Sequence, residues 1–202
     1  MLRKSLLALS IALPSMAATA PMAFSAEAIF AGGCFWCIEK DFEQVAGVGE
    51  VVSGYTGGTN ENPTYQNHTQ FGHREVVKIT YDEAKISYDE LLKIFFRSVD
   101  PTDGGGQFCD RGFSYSTAVY ALDGKQLEAA KKAKEQAAKD LGKEIATEIT
   151  MAAPFTMAED YHQDYYKKSK IRYNYYRTAC GRDRTVKRLW GDQAYYGIGK
   201  TS

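Results

Sequence analysis

Two thiols three positions apart carry the clearest chemistry in this chain. Gly32-Gly33-Cys34-Phe35-Trp36-Cys37-Ile38-Glu39 sets two glycines, two cysteines, two large aromatics and a carboxylate in immediate succession. The nucleophilic form of cysteine is the thiolate, and a helix N-terminus favours it through unpaired N–H groups and the positive end of the dipole. Cys34 is expected at such a position. The glycines leave its sulfur approachable, and Phe35 and Trp36 would make an apolar receptor for an uncharged substrate group. Taken alone, a C-x-x-C pair divides between redox chemistry and structure, since free cysteine is among the most buried residue types.

The elements that must position these groups can be read along the chain. An apolar run, Ala28-Ile29-Phe30-Ala31, precedes the glycines, and Ile38, Phe42 and Val45 then fall on one helical face. A strand, a glycine turn and a helix start are therefore expected. Val51 and Val52 mark a second strand, which runs into a glycine-rich loop from Gly54 to Tyr65. Glu75 to Tyr81 is the clearest strand. Ser87-x-x-Glu90 is a capping box for the helix that follows, and a second glycine-rich loop runs from Thr102 to Gly112. A strand over 117–121, a helix from Lys125 to Leu141 and a strand over 147–151 complete the pattern, with Thr156-x-x-Glu159 expected to cap one more helix. Helices on a mixed sheet, an α+β arrangement in one domain, account for this order.

Composition narrows the class. Residues 1–25 read as a cleavable signal peptide: Arg3 and Lys4 form a basic start, Leu6 to Leu13 an apolar centre, and small residues from Ala20 to Ala26 a cleavage site, best placed before Ala26. Residues 26–202 are then a single catalytic domain, exported and periplasmic, with no membrane span in the mature form. The full chain holds 25 basic and 25 acidic residues, and losing Arg3 and Lys4 tips the balance slightly acidic, so nucleic acid is not an expected partner. Four cysteines are too few for a disulfide-stapled scaffold. From Lys167 to Arg188 nine basic residues meet a single acid, Asp183, interleaved with Tyr173, Tyr175 and Tyr176. That stretch reads as a solvated, flexible basic tail packed over the domain.

Taken together, the motifs resemble the peptide methionine sulfoxide reductase A family. The resemblance runs from Ile29-Phe30-Ala31-Gly32-Gly33-Cys34-Phe35-Trp36 through Gly54-Tyr55-Thr56-Gly57-Gly58, Pro63-Thr64-Tyr65, Gly72-His73-Arg74-Glu75-Val76-Val77, Asp100-Pro101 and Asp110-Arg111-Gly112 to Glu159-Asp160-Tyr161-His162-Gln163. It implies a two-layer sandwich of helices on a mixed sheet, with a ferredoxin-like core and extensions. It also implies reduction of the S epimer of methionine sulfoxide, protein-bound and free, by a monomer with no bound cofactor or metal and an external thiol or dithiol, thioredoxin-like reductant. Carried onto this chain, Cys34 is the nucleophile and Glu75 the acid that protonates the sulfoxide oxygen. Tyr65 and Tyr115 hydrogen-bond that oxygen, Asp110 organises water and the site, and Phe35 and Trp36 hold the S-methyl group. Many members have glycine where Cys37 stands and recycle through cysteines near the C-terminus. Cys37 and Cys180 are accordingly both candidates for the thiol that resolves the oxidised Cys34, ahead of Cys109. His73 and His162 are expected to be structural.

A thioredoxin-like disulfide oxidoreductase of the same compartment is the alternative reading of Cys34-x-x-Cys37. It leaves Glu75, Tyr65, Tyr115 and the two glycine-rich loops without a role. A zinc module would need a second close ligand pair, and the spacing of Cys109, Cys180, His68, His73 and His162 does not supply one.

Overall fold

A strand buried on both faces needs a continuous apolar run, and Ala28–Ala31 is one. In the computed structural model, which describes residues 25–199, that run ends β1 (Ser25–Ala31). The chain continues through α1 (Phe35–Phe42), β2 (Val48–Thr56), β3 (Arg74–Asp82) and α2 (Tyr88–Phe96). A small hairpin of β4 (Gly106–Gln107) and β5 (Asp110–Arg111) comes next, then β6 (Ala118–Ala121), α3 (Gly124–Leu141), β7 (Glu148–Met151) and β8 (Thr156–Met157). Three α-helices follow: α4 (Tyr165–Lys168), α5 (Lys170–Ala179) and α6 (Arg182–Trp190). The signal segment expected over residues 1–25 lies outside the described residues except for Ser25, which pairs with Asp82 at the start of β1. Among the described residues no helix is long and apolar enough to cross a membrane.

The six-stranded sheet has the order β7-β6-β1-β3-β2-β8. Every neighbouring pair is antiparallel except β6 with β7, so the sheet is mixed. Successive strand residues point to opposite faces, and β1 shows the consequence. Ala28 and Phe30 join the core beneath the helices with Ile38, Phe42, Leu92 and Phe95. Ile29 and Ala31 instead meet Val76, Ala118 and Tyr120 on the other face. The Phe30 ring stacks on Phe95 at 4.9 Å and tilts against Phe42 at 5.5 Å, tying α1 and α2 to the central strand.

Local signals place the helix ends. The Ser87 side chain accepts the Glu90 N–H at the start of α2, and Asp123 accepts the Gln126 N–H at the start of α3. Gly142, at φ 61°, ends α3 in the left-handed conformation that glycine adopts most readily.

Two expectations fail. The helix expected after Thr156 does not start there: Thr156 and Met157 form β8 against Tyr55 and Gly54, and between β8 and residue 170 only α4 is helical. The Glu159 carboxylate is committed elsewhere, accepting the Tyr55 hydroxyl at 2.9 Å and the Tyr65 N–H at 3.0 Å. Gln163 clasps the Ser53 backbone, accepting its N–H and donating to its carbonyl, both at 2.9 Å. These cross-links hold the segment against the sheet in a conformation a helix would not allow.

The basic stretch packs over the domain as expected, but it is not a solvated, flexible tail. It folds into α5 and α6, whose Tyr173, Arg177, Arg182, Val186 and Trp190 are buried. Arg177 grips both carboxylate oxygens of Asp41 on α1, at 2.8 and 3.2 Å. Arg182 donates to the carbonyls of Gly32 at 3.1 Å and Ser98 at 3.0 Å. A count of basic residues cannot reveal that two of the guanidinium groups turn inward.

Candidate active site

Gly33 turns the chain from β1 into α1 at φ 84°, a conformation open to glycine, and a Cβ there would stand 2.6 Å from the Gln107 side chain. Cys34 is thereby set as the residue capping α1, with its side chain unused in the cap. The adjoining helical turn brings Cys37 back beneath it, its N–H donating to the Cys34 carbonyl at 3.1 Å. Both thiols are free and buried.

β3 delivers the carboxyl group. Glu75, paired in register with Tyr55 of β2, is 2% exposed and accepts the Phe35 N–H at 3.0 Å. Burial pushes its pKa up to about 8, against the pull of that N–H, with the negative charges of Asp110 and Cys37 adding to the rise. At neutral pH Glu75 is therefore mostly protonated and able to donate. Its other oxygen faces His68 Nε2 at 3.8 Å. Because His68 Nδ1 lies 2.9 Å from the Tyr65 carbonyl, Nδ1 carries the proton of the neutral ring and Nε2 is bare. Burial holds His68 below its usual pKa, which keeps the ring neutral.

Tyr65 is placed by a turn in the first glycine-rich loop, where the Asn67 side chain accepts the Thr64 N–H at 2.7 Å. Its ring lies against His68 and His162, and burial raises its pKa to about 12, so it too keeps its proton. Tyr115 follows the β4–β5 hairpin, and burial raises its pKa as well, with Glu75 next among the causes. Asp110 opens β5 and accepts a hydrogen bond from the Tyr176 hydroxyl of α5. The Trp36 indole donates to His162 Nδ1 at 3.0 Å, and its ring stacks on Tyr165 at 3.8 Å. His162 thus serves the structural part expected of it, and burial brings its pKa down to about 4.

Cys34, Phe35, Trp36, Tyr65, Glu75, Asp110, Tyr115 and Tyr176 line one pocket of about 50 Å³. A cleft this small admits a side-chain terminus and little else. It joins a sulfur nucleophile, a neutral carboxylic acid, a second carboxyl group, three phenols and an aromatic wall. That set suits attack on a polar, uncharged group whose oxygen must be protonated as it leaves.

Two expectations about the thiols change. Cys34 is not lowered by its place at the helix start: burial dominates and pushes its pKa well up, with Cys37 and Glu75 adding to the rise. Cys37 moves the other way, to about 7. Its bond to Cys34 comes first among the causes, burial opposes it, and Arg182 and Arg177 add to the fall. One negative charge is thus accessible to the dithiol near neutrality, and a second is not. Cys180 is not a free thiol here, because it is joined in a disulfide to Cys109, 71 residues away in sequence. Cys37 is the free thiol that packs against Cys34.

Several site residues lack a sequence signal of their own. Tyr176 is visible only as one of several tyrosines in the basic stretch, and nothing local links it to Asp110, 66 residues earlier. Glu159, which anchors Tyr65 and Tyr55, belongs to a quoted motif, but its reach across 94 residues to Tyr65 is a tertiary fact. His68 carries no motif at all.

Comparison with known proteins agrees with the geometry. A family model described as peptide methionine sulfoxide reductase matches residues 26–194. Peptide methionine sulfoxide reductase MsrA 2 of Rhizobium meliloti (strain 1021) is 56% identical over 171 residues, covering 85% of this chain and 86% of that protein. The MsrA 2 protein of Caulobacter vibrioides is 47% identical over 196 residues, covering 94% of this chain and all of that protein. Among solved structures, methionine sulfoxide reductase A of Corynebacterium diphtheriae superposes with a TM-score of 0.69 at 31% identity, covering 73% of this chain and 76% of that one. On the span of that match and the identity to full-length relatives, the chain belongs to the peptide methionine sulfoxide reductase family.

Proposed function

We infer that the chain is a peptide-methionine (S)-S-oxide reductase, acting on protein-bound and free methionine sulfoxide. The observation that carries this reading is the pocket that joins the Cys34 sulfur to a carboxyl group, Glu75, kept neutral by burial. A sulfoxide sulfur is a poor electrophile until its oxygen gains a proton. In the proposed first step the Glu75 carboxyl, with the Tyr65 and Tyr115 hydroxyls, holds and protonates that oxygen, and Asp110 organises water beside it. The Cys34 sulfur attacks the sulfoxide sulfur and its proton passes to Glu75; the S–O bond of the sulfoxide breaks as the hydroxyl is transferred to the Cys34 sulfur, the transient S–S bond opens to release methionine, and Cys34 is left as the sulfenic acid. In the second step Cys37 attacks the Cys34 sulfur and expels the oxygen as water, leaving a disulfide. A dithiol protein of the thioredoxin kind then reduces the pair.

Selectivity follows from three fixed contacts. With the methyl group against Phe35 and Trp36, the oxygen toward Glu75 and the sulfur facing Cys34, only one configuration at sulfur fits. Given a racemic sulfoxide peptide and a thioredoxin-like donor, the protein is expected to consume the S epimer and leave the R epimer intact. Chiral chromatography of the residue checks this, and equal loss of both epimers would overturn the assignment.

The scaffold we read as a ferredoxin-like core with extensions, the split β-α-β-β-α-β pattern running through β1, α1, β2, β3, α2 and β6. We also take residues 26–202 as one catalytic domain released from a signal over residues 1–25, so that the enzyme works outside the cytoplasm, in the periplasm. N-terminal sequencing of protein from cell fractions tests this. The expected product begins at or near Ala26 in the periplasmic fraction, and a chain still beginning with the first few residues in the cytosol refutes it.

A further inference from the structure

We propose that Arg182, seconded by Arg177, is a positioning residue for the second half-reaction, holding Cys37 as the thiolate that attacks the oxidised Cys34. The proposal rests on the reading above, in which Cys37 resolves the sulfenic acid. It assigns a purpose to the two buried guanidinium groups of the basic stretch, which the chemistry at Cys34 leaves unused.

The geometry is that of a buried cationic floor. Cys37 and Asp41 lie one turn apart on α1, and Cys37 packs against Cys34 and the Tyr173 ring. Arg177 donates to the Tyr173 hydroxyl at 3.0 Å while holding Asp41. Arg182, 2% exposed, reaches from α6 under the active-site turn to the Gly32 carbonyl. Its Nε is buried without a hydrogen-bond partner, the nearest carboxylate oxygen, on Asp41, being 3.8 Å away. Two guanidinium groups therefore share one fully buried carboxylate. The second acid on Arg177, Asp183, has a side chain 48% exposed, where water weakens its compensation. A buried excess of positive charge is costly unless an anion lies close, and Cys37 is the thiol packed into this cluster.

The remaining charged and titratable groups around Cys37 are Cys34 above it, Glu75 on β3, Asp110 on β5 and Tyr176 on α5. Lys40 of α1 lies over the outer side of the Tyr173 ring, and Tyr195 donates to Asp183. Glu75 is neutral at rest, and Asp110 is bonded to Tyr176. The direction of the Cys37 pKa, which both arginines lower, agrees with this arrangement.

The step balances without any further reagent. The Cys37 thiolate forms an S–S bond to the Cys34 sulfur, the S–O bond of the sulfenic acid breaks, and the departing hydroxide takes the proton held by the neutral Glu75 carboxyl and leaves as water. When a dithiol donor later attacks Cys34, Cys37 is the leaving sulfur, and a stabilised thiolate leaves faster.

The test uses the Cys34→Ser protein, in which Cys37 is the free thiol left beside the Cys109–Cys180 disulfide. Its ionisation is followed by thiolate ultraviolet absorbance against pH, a readout that does not require access to the buried sulfur. With a serine hydroxyl left to donate where the Cys34 thiol stood, the expected midpoint stays near neutrality, rising by at least about one unit when Arg182→Met is added, which takes the thiolate at pH 7 from about half to about a tenth. Arg182→Lys, which keeps the charge, restores most of the shift. In the Cys34-containing protein, Arg182→Met slows disulfide formation after one turnover by about two- to fivefold, the lost thiolate being partly offset by the greater nucleophilicity of a more basic one. Should Arg182→Met fail to fold, the Cys34→Ser protein alone decides: a midpoint at the ordinary thiol value of about 8.5 overturns the proposal. A low midpoint with no Cys34–Cys37 bond in the single-turnover peptide map overturns the resolving role of Cys37 instead, and the two failures are thereby distinguished.

Discussion

Glu75→Gln is expected to slow the first half-reaction, measured as methionine released per chain in a single turnover, by about 10²–10⁴-fold, the usual worth of a well-placed general acid. Glutamine keeps the shape and still accepts the Phe35 N–H that Glu75 accepts at 3.0 Å, but it has no acidic proton to give the sulfoxide oxygen. The pH dependence has a definite sign. Glu75 acts as the protonated acid, so the rate falls as pH rises through its pKa of about 8, and this limb is absent from the variant. Stability moves the opposite way. A carboxyl group whose folded pKa is raised favours folding fully below its unfolded pKa, near 4.3, and loses that contribution as pH rises toward 8. The substituted glutamine does not titrate and avoids the loss, so the variant should withstand more urea than the parent above neutral pH. A crippled but sturdier protein is what an acid held neutral by burial predicts. If the protein is a disulfide oxidoreductase of the thioredoxin kind, the substitution leaves exchange rates nearly untouched, and an unchanged rate of sulfoxide reduction would rule out the acid role.

The residues that meet at this pocket are named by motif, and their elements are legible because each rests on local pattern. The β-branched residues of 75–81 make β3, the Ser87 and Asp123 side chains start α2 and α3, and Gly33 makes the turn before Cys34. What is not legible is long-range. The order β7-β6-β1-β3-β2-β8 brings Glu75 beside Tyr55 and so under α1, but no local signal encodes which strand edges meet. The acidity of Cys34 escapes a reading of the sequence for a related reason. A helix N-terminus contributes a modest local field, whereas burial of Cys34 at 6% exposure is a property of the assembled core, and desolvation is the larger effect.

The C-terminal stretch makes the same point in charge. Counted along the chain, Lys167 to Arg188 is a solvated basic surface. Folded, it contributes an aromatic wall through Tyr176, a carboxylate clamp through Arg177 and a guanidinium under the catalytic turn through Arg182. The Cys109–Cys180 disulfide joins the corner between α5 and α6 to the hairpin that carries Asp110. Cys180 thereby fits a role in holding the pocket wall better than one in chemistry at Cys34.

Cys37→Ser separates these roles. The substitution leaves Cys34, Glu75 and the tyrosines in place, so one equivalent of methionine is expected per chain, at a rate near that of the parent. The reaction then stops with Cys34 as the sulfenic acid, since the remaining cysteines are bonded to each other. Steady-state turnover with a thioredoxin-like donor falls by at least about two orders of magnitude, because an intermolecular thiol must replace one held adjacent on the same helix turn, where effective concentrations are very high. Mass spectrometry after addition of a sulfenic-acid-specific carbon nucleophile should find Cys34 tagged in the variant and untagged in the parent, whose single-turnover map shows a Cys34–Cys37 bond. Undiminished turnover together with a Cys34–Cys180 bond would instead mean that the Cys109–Cys180 disulfide opens during the cycle and that α5 and α6 swing their corner to Cys34. That movement would pull Tyr176 off Asp110 and Arg182 from beneath Gly32 at every turnover, dismantling the pocket wall and the cationic floor that the folded chain builds around Cys34 and Cys37.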